Sequence, residues 1–151
     1  MPNIIPFKKE HLDKINLVFE MTSAGKESLG SYEGVIGYTG MEGDAVLATG
    51  GVHPMWKGVG EAWLLVGKEG YEKPKTVAKW TDYLFQHIQE EFGLFRIQAS
   101  VSALDLTANR YAQWLGFEKE GIMRKYGPDG TDYIRYARLM LCHKQQQGHL
   151  H

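Results

Sequence analysis

The sequence predicts a mixed α/β (or α+β) domain in which helices pack on the faces of a single sheet. Three observations point there. Residues 61–121 run strand, helix, strand, helix, strand. Within them Val77, Trp80, Leu84, Ile88 and Phe92 recur at spacings of three and four, the apolar stripe of an amphipathic helix. Near the C-terminus two apolar segments flank Gly127-Pro128-Asp129-Gly130, a turn signal between antiparallel strands.

In chain order, residues 3–7 read as a short first strand. A helix follows, with Leu12, Ile15, Val18 and Phe19 on one face. Residues 24–33 form a second helix, ended by Gly34. Residues 35–41 and 45–52 are strands joined by the turn Glu42-Gly43-Asp44. Gly50-Gly51 marks a bulge or a close approach of backbone. Residues 53–60, with Pro54, Gly58 and Gly60, read as a loop. Residues 61–66 are nearly all apolar, as in a strand covered on both faces. Pro74 suits the first turn of the next helix, where its missing N–H costs little. Gly93 ends that helix. Residues 95–101 are a strand, residues 106–115 a helix closed by Gly116, and residues 117–126 and 132–141 the final antiparallel pair.

The chain has 151 residues, enough for one domain with a sizeable core and too few for two. We expect a single domain over residues 1–142 and a polar, disordered tail over residues 143–151. Hydrophobic residues make up 43% and charged residues 23%, ordinary for a globular domain. A net charge of −1 creates no global field for nucleic acid or an anionic membrane, so neither partner is expected. The lone cysteine, Cys142, precludes an intrachain disulfide and Cys-based metal clusters, and it fits a reducing compartment. No metal site is expected, because His143, His149 and His151 lack carboxylate or thiolate partners. Trp56, Trp63, Trp80 and Trp114 read as core or cleft walls, since no basic stripe accompanies them. The segment MPNIIPFKKEHLDK holds no apolar run of signal-peptide or membrane-span length. A cytoplasmic location follows as the expectation.

The order of elements and the segment Leu115-Gly116-Phe117-Glu118-Lys119-Glu120-Gly121, placed after the strand at Arg96–Val101, resemble the GCN5-related N-acetyltransferases (GNAT). The resemblance covers residues 3 to about 141. It implies a mixed, mostly antiparallel sheet of six to seven strands with helices on both faces. It also implies acetyl-CoA as acyl donor and a small-molecule or peptide amine as acceptor, which attacks the thioester directly.

Such chemistry needs an anion site for pyrophosphate, a route for the amine proton and a proton donor for the thiolate. The family loop Arg/Gln-x-x-Gly-x-Gly/Ala corresponds here to Tyr71-Glu72-Lys73-Pro74-Lys75-Thr76-Val77, which has no glycine. The helix dipole remains there, and Lys73, Lys75 and Lys79 offer side-chain charge. These lysines also read as an ordinary solvated helix end. The resemblance places Leu64, Leu65 and Val66 against pantetheine and the backbone from Lys73 through Thr76 and Val77 against pyrophosphate. It makes Glu61 the general base, a role that competes with that of an exposed strand-end carboxylate. His53 is a second candidate base, though a surface histidine fits its loop equally. The tyrosine that the family uses as acid falls at Ala112. Tyr111 stands one residue earlier, about 100° around the helix, and also reads as a half-buried ring on the sheet. Asp105 occupies a position where relatives often have asparagine near the cofactor.

A second reading is a non-catalytic protein that keeps the fold. The chain is similar, in GVGEAWLLV and the glycine-poor junction after it, to acetyltransferase-like proteins of tailed phages and bacteria, where a structural, host-directed or virion-associated role is implied. The strand near Leu139, read as a sheet edge, offers a surface for a homodimer.

Overall fold

The computed structural model describes residues 3–18, 21 and 23–140. Its seven strands are β1 (Asn3–Pro6), β2 (Gly37–Glu42), β3 (Ala45–Trp56), β4 (Val59–Val66), β5 (Arg96–Ser102), β6 (Glu118–Met123) and β7 (Tyr133–Leu139). The helices are α1 (His11–Lys14), α2 (Ser23–Gly30), α3 (Lys68–Tyr71), α4 (Pro74–Phe92) and α5 (Leu106–Trp114). The strands form one mixed sheet in the order β1-β2-β3-β4-β5-β7-β6. The pairs β1–β2, β2–β3, β5–β7 and β6–β7 are antiparallel, while β4–β5 is parallel. The expected mixed, mostly antiparallel sheet is therefore present. The chain divides into two compact units, residues 1–53 with 62–85 and residues 54–61 with 86–151.

In the first unit β3 is buried continuously from Val46 to Val52, which explains its apolar run. Gly50-Gly51 is needed for close approach: a Cβ on Gly51 would collide with the carbonyl oxygen of Ile36, and one on Gly50 would stand 2.7 Å from that of Trp63. The register irregularity falls instead between Gly40 and Met41. The loop expected over residues 53–60 is mostly strand. β3 runs on to Trp56, a tight turn at Lys57-Gly58 (φ +83° at Gly58) reverses the chain, and β4 begins at Val59. Pro54 is tolerated because the last four residues of β3 are exposed. The expected first helix is only four residues long, since Ile15 is already extended at ψ 131°. Leu12 and Ile15 are buried as expected, Val18 is exposed, and Phe19 lies outside the described residues.

On α4 the residues Val77, Trp80, Leu84 and Ile88 are all buried, so the predicted stripe holds. Phe92 departs from it at 46% exposure, in the last turn before Gly93 reverses the backbone at φ +65°. In the second unit Ile97, Leu115, Phe117, Ile134 and Tyr136 form a core under the sheet. The Leu139 strand is not an edge. β7 is inserted between β5 and β6, so β6 and β1 are the outer strands. The expected tail over residues 143–151 and Cys142 lie outside the described residues. No helix among the described residues is long and apolar enough to cross a membrane.

Candidate functional site

The first unit holds the residues that the sequence assigns to an acyl donor, apart from Asp105, which lies in the second. Leu64, Leu65 and Val66 close β4 and are half-buried. After Val66 the chain makes an unforeseen turn of helix, α3, docked on β3. The Gly67 N–H donates to Leu47 O at 2.9 Å and the Lys68 N–H to Asn16 O at 2.7 Å. A Cβ on Gly70 would collide with that same Leu47 carbonyl. The junction thus does contain glycines, but they serve packing on β3 and lie ahead of the α4 start.

At that start Pro74 has no N–H, and the Val77 N–H is given to Lys73 O at 3.1 Å. The Val77 side chain is buried in the core. The amides of Lys75 and Thr76 are left without a backbone acceptor among the described residues, at the positive end of a 19-residue helix. Lys75 is exposed and Thr76 half-buried. Lys73 is engaged: its Nζ pairs with Glu42 at the end of β2, with both side chains about half exposed.

Aromatic rings gather in the same unit. Tyr32 stacks on His53 at 5.2 Å and lies 5.6 Å from Trp63, whose other neighbour is Phe7 at 4.9 Å. Trp56, in the second unit, is 64% exposed.

The second unit brings Glu61 into a chain of charged and amide groups across four strands. Gln98 Nε2 donates to Glu61 Oε1 at 3.0 Å, and Arg135 Nη1 lies 3.2 Å from Oε1 and 3.3 Å from Oε2. Arg96 Nε donates to Gln98 Oε1 at 3.0 Å, and its Nη1 and Nη2 grip Glu120 at 2.9 and 2.7 Å. The hydrogen bond to Glu120 raises the Arg96 pKa above its ordinary value, and the same bond lowers that of Glu120. Strand registry explains the grouping, because Glu61 pairs with Gln98 on β5 and Arg135 pairs with Ser100 one side-chain repeat away. Glu120 reaches Arg96 from a bulge in β6 between Lys119 and Gly121.

Gln98, Arg96, Glu120 and Arg135 escaped the sequence reading. Their signal was polar residues at alternate positions of otherwise apolar strands, Arg96 and Gln98 in β5 and Arg135 in β7.

Asp105 caps α5, its Oδ1 accepting from the Ala108 N–H at 3.0 Å. Asn109 fastens the same helix, donating from Nδ2 to Ser102 O at 2.9 Å and accepting at Oδ1 from the buried Tyr136 hydroxyl at 2.7 Å. Tyr111 is half-buried on this helix, and Ala112 beside it is buried. The Tyr126 and Tyr133 rings meet at 5.3 Å and 59° in the final hairpin. Among the described residues no group of three or more His, Cys, Asp or Glu side chains is placed to hold a metal ion.

No protein-family profile and no curated protein matches the chain. Solved structures do. Ard1 from Thermoplasma volcanium is similar at 14% identity over 93% of this chain and 98% of its own, with a TM-score of 0.76. A GNAT-family acetyltransferase from Bacillus anthracis is similar at 15% identity over 90% of this chain and 93% of its own, with a TM-score of 0.67. A Bacillus subtilis acetyltransferase in complex with CoA is similar at 14% identity over 92% of this chain and 97% of its own, with a TM-score of 0.71. With a mixed seven-stranded sheet and such likeness along almost the whole chain, the protein has the fold of the GCN5-related N-acetyltransferases.

Proposed function

We propose that the chain is an N-acetyltransferase that moves an acetyl group from acetyl-CoA to a primary amine on a small molecule or peptide. The observation that supports this most is the fold likeness over 92% of the chain to an acetyltransferase that holds CoA. The α4 start fits a pyrophosphate: the Lys75 and Thr76 amides and the helix dipole suit an anion, and the Lys75 ammonium adds charge. Leu64, Leu65 and Val66 offer backbone to the pantetheine arm. Lys73 contributes only by leaving Glu42.

In the reaction the amine lone pair forms the new C–N bond and the thioester C–S bond breaks. The proton released from nitrogen passes to Glu61, directly or through water. Among the described residues Glu61 Oε2 receives only the Arg135 contact, so it keeps a lone pair for that proton, while Gln98 and Arg135 hold the carboxylate in one orientation. The departing thiolate takes up a proton, for which Tyr111 on α5 is the proposed donor.

Thermal unfolding with and without acetyl-CoA tests the reading. Ligand at a hundred times its dissociation constant stabilises by about 2.7 kcal/mol. Lys75→Glu should shrink that shift. Absence of any shift at millimolar acetyl-CoA would sink the transferase and leave the non-catalytic role.

A further inference from the structure

Gln98 stands between a donor and an acceptor. Arg96 Nε lies 3.0 Å from its Oε1, and Glu61 Oε1 lies 3.0 Å from its Nε2. A guanidinium carries donors only. The Gln98 atom that faces Arg96 is therefore its carbonyl oxygen, which leaves the NH2 group for Glu61. The partner on each side sets which way this amide points.

Arg96 is in turn held from beyond the next strand. β7 separates β5 from β6, a gap of roughly 9–10 Å. Glu120 spans it from the β6 bulge. Lys119 pairs with Tyr136 and Gly121 with Arg135, so Glu120 is the extra residue, and the bulge re-aims its side chain across β7. On β7 the residue opposite Gln98 is Ala137, whose methyl leaves room for the two long side chains to meet. The result is a two-pronged pair, Nη1 to Oε2 at 2.9 Å and Nη2 to Oε1 at 2.7 Å. With Nε on Gln98, every guanidinium nitrogen of Arg96 is engaged.

Folding stability does not account for this arrangement. The Arg96 side chain is 25% exposed and that of Glu120 42%, and an ion pair so open to solvent contributes little to stability. What it supplies is direction. A terminal glutamine amide turns over a broad, nearly two-fold torsion, so without a fixed neighbour its oxygen and NH2 interchange.

We propose that Arg96 and Glu120 are positioning residues for the transfer, fixing the Gln98 amide with its NH2 toward Glu61 Oε1 so that Oε2 is the oxygen that takes the amine proton. The N–H bond of the acceptor breaks, and an O–H bond forms at Oε2. Because the amide is locked by Arg96, its NH2 stays on Oε1 in both protonation states of Glu61. This role rests on the transferase reading above.

The test is thiol release from acetyl-CoA by the full chain between pH 5 and 9, with the best acceptor from a panel of amino acids, polyamines and short peptides. Arg96→Met should lower kcat by about tenfold and Glu120→Ala by about threefold, with the KM for acetyl-CoA and the unfolding midpoint little changed. A carboxylate that loses a donor takes a proton at higher pH, so the acid limb of kcat/KM should move up by about half a pH unit or more in both variants. Arg96 also acts on Glu61 through its charge, and Gln98→Leu separates the two effects. In that background Arg96→Met should cost less than about twofold more, because the route through Gln98 is gone. Wild-type profiles in both variants, or an undiminished loss in the Gln98→Leu background, overturns the positioning role and leaves the transferase standing. If no acceptor of the panel is acetylated, the transferase reading fails, and nitrogen-15 relaxation of the Gln98 side-chain amide decides the lock alone. An amide rigid in the wild type and mobile in Arg96→Met upholds it, and equal mobility in the two overturns it.

Discussion

Arg135 Nη1 bridges the two carboxylate oxygens of Glu61, at 3.2 and 3.3 Å, and ties strand β7 to strand β4 across β5. The contact orients the carboxylate, with a second donor from Gln98 fixing Oε1 at 3.0 Å. Glu61→Gln keeps the shape and removes the proposed proton acceptor. We expect kcat to fall by about 100-fold or more, with the KM for acetyl-CoA little changed, in steady-state thiol-release assays. Turnover within about threefold of wild type would remove Glu61 from the chemistry.

Glu42 holds Lys73 beside the α4 start and would compete for it with the proposed pyrophosphate. Both side chains are about half exposed, so the pair contributes little to stability. Glu42→Gln frees Lys73 and should tighten acetyl-CoA binding on the order of two- to fivefold, more at low salt than at high salt. Calorimetric titration at two ionic strengths checks this, and the unfolding midpoint should hardly move.

Asp105 has a visible job as the N-cap of α5. Asp105→Ala should cost about 1 kcal/mol in urea unfolding, while Asp105→Asn, an equally good cap, should cost a few tenths at most, roughly. A role toward the acyl donor would show as a raised acetyl-CoA KM in Asp105→Asn. An unchanged KM assigns the residue to the helix alone.

His11 makes stability depend on pH. It is buried at 4% exposure, its Nδ1 accepts from the Lys8 N–H at 3.1 Å, and Thr39 Oγ1 lies 2.8 Å away. Burial pushes its pKa below the ordinary 6.5. Between the folded and unfolded values the unfolded chain binds the extra proton, so stability rises with pH in that window. The contribution is complete above pH 6.5 and is lost progressively as pH falls below it. Urea unfolding between pH 5 and 7.5 should show this slope, and His11→Gln should flatten it. An identical slope in the variant would assign the dependence to other groups.

Two glycines should behave oppositely on substitution. Gly70→Ala drives a methyl into the Leu47 carbonyl and should cost about 1–3 kcal/mol. Gly121→Ala enters open space and should stay within about 0.5 kcal/mol. Equal costs would contradict the packing described for α3 on β3.

Much of this protein was legible from local pattern. The α4 stripe and the final hairpin follow from periodicity and turn residues, because each depends on neighbours a few positions away. The cover on both faces expected of residues 61–66 falls instead on β3, where Val46 to Val52 are buried while residues 63–66 are half-buried. The failures have local causes as well. The first helix stops at Lys14 although Val18 continues its spacing, and 53–60 reads as a loop because proline and glycine are tolerated at an exposed strand end. α3 was invisible because its reason is the Leu47 carbonyl, some twenty positions earlier in the chain.

The site divides the same way. From the sequence alone came the fold family, Glu61 as a carboxylate worth testing, and a helix start at Pro74 without the family's glycines. Only the tertiary structure decided how those residues are engaged. It paired Lys73 with Glu42, spent Asp105 on a helix cap, and gave Glu61 two donors from positions 98 and 135. The physical reason is registry. Which side chains meet across a sheet is set by strand order and pairing, and β7 between β5 and β6 brings Arg135 to Glu61 across 74 positions of chain.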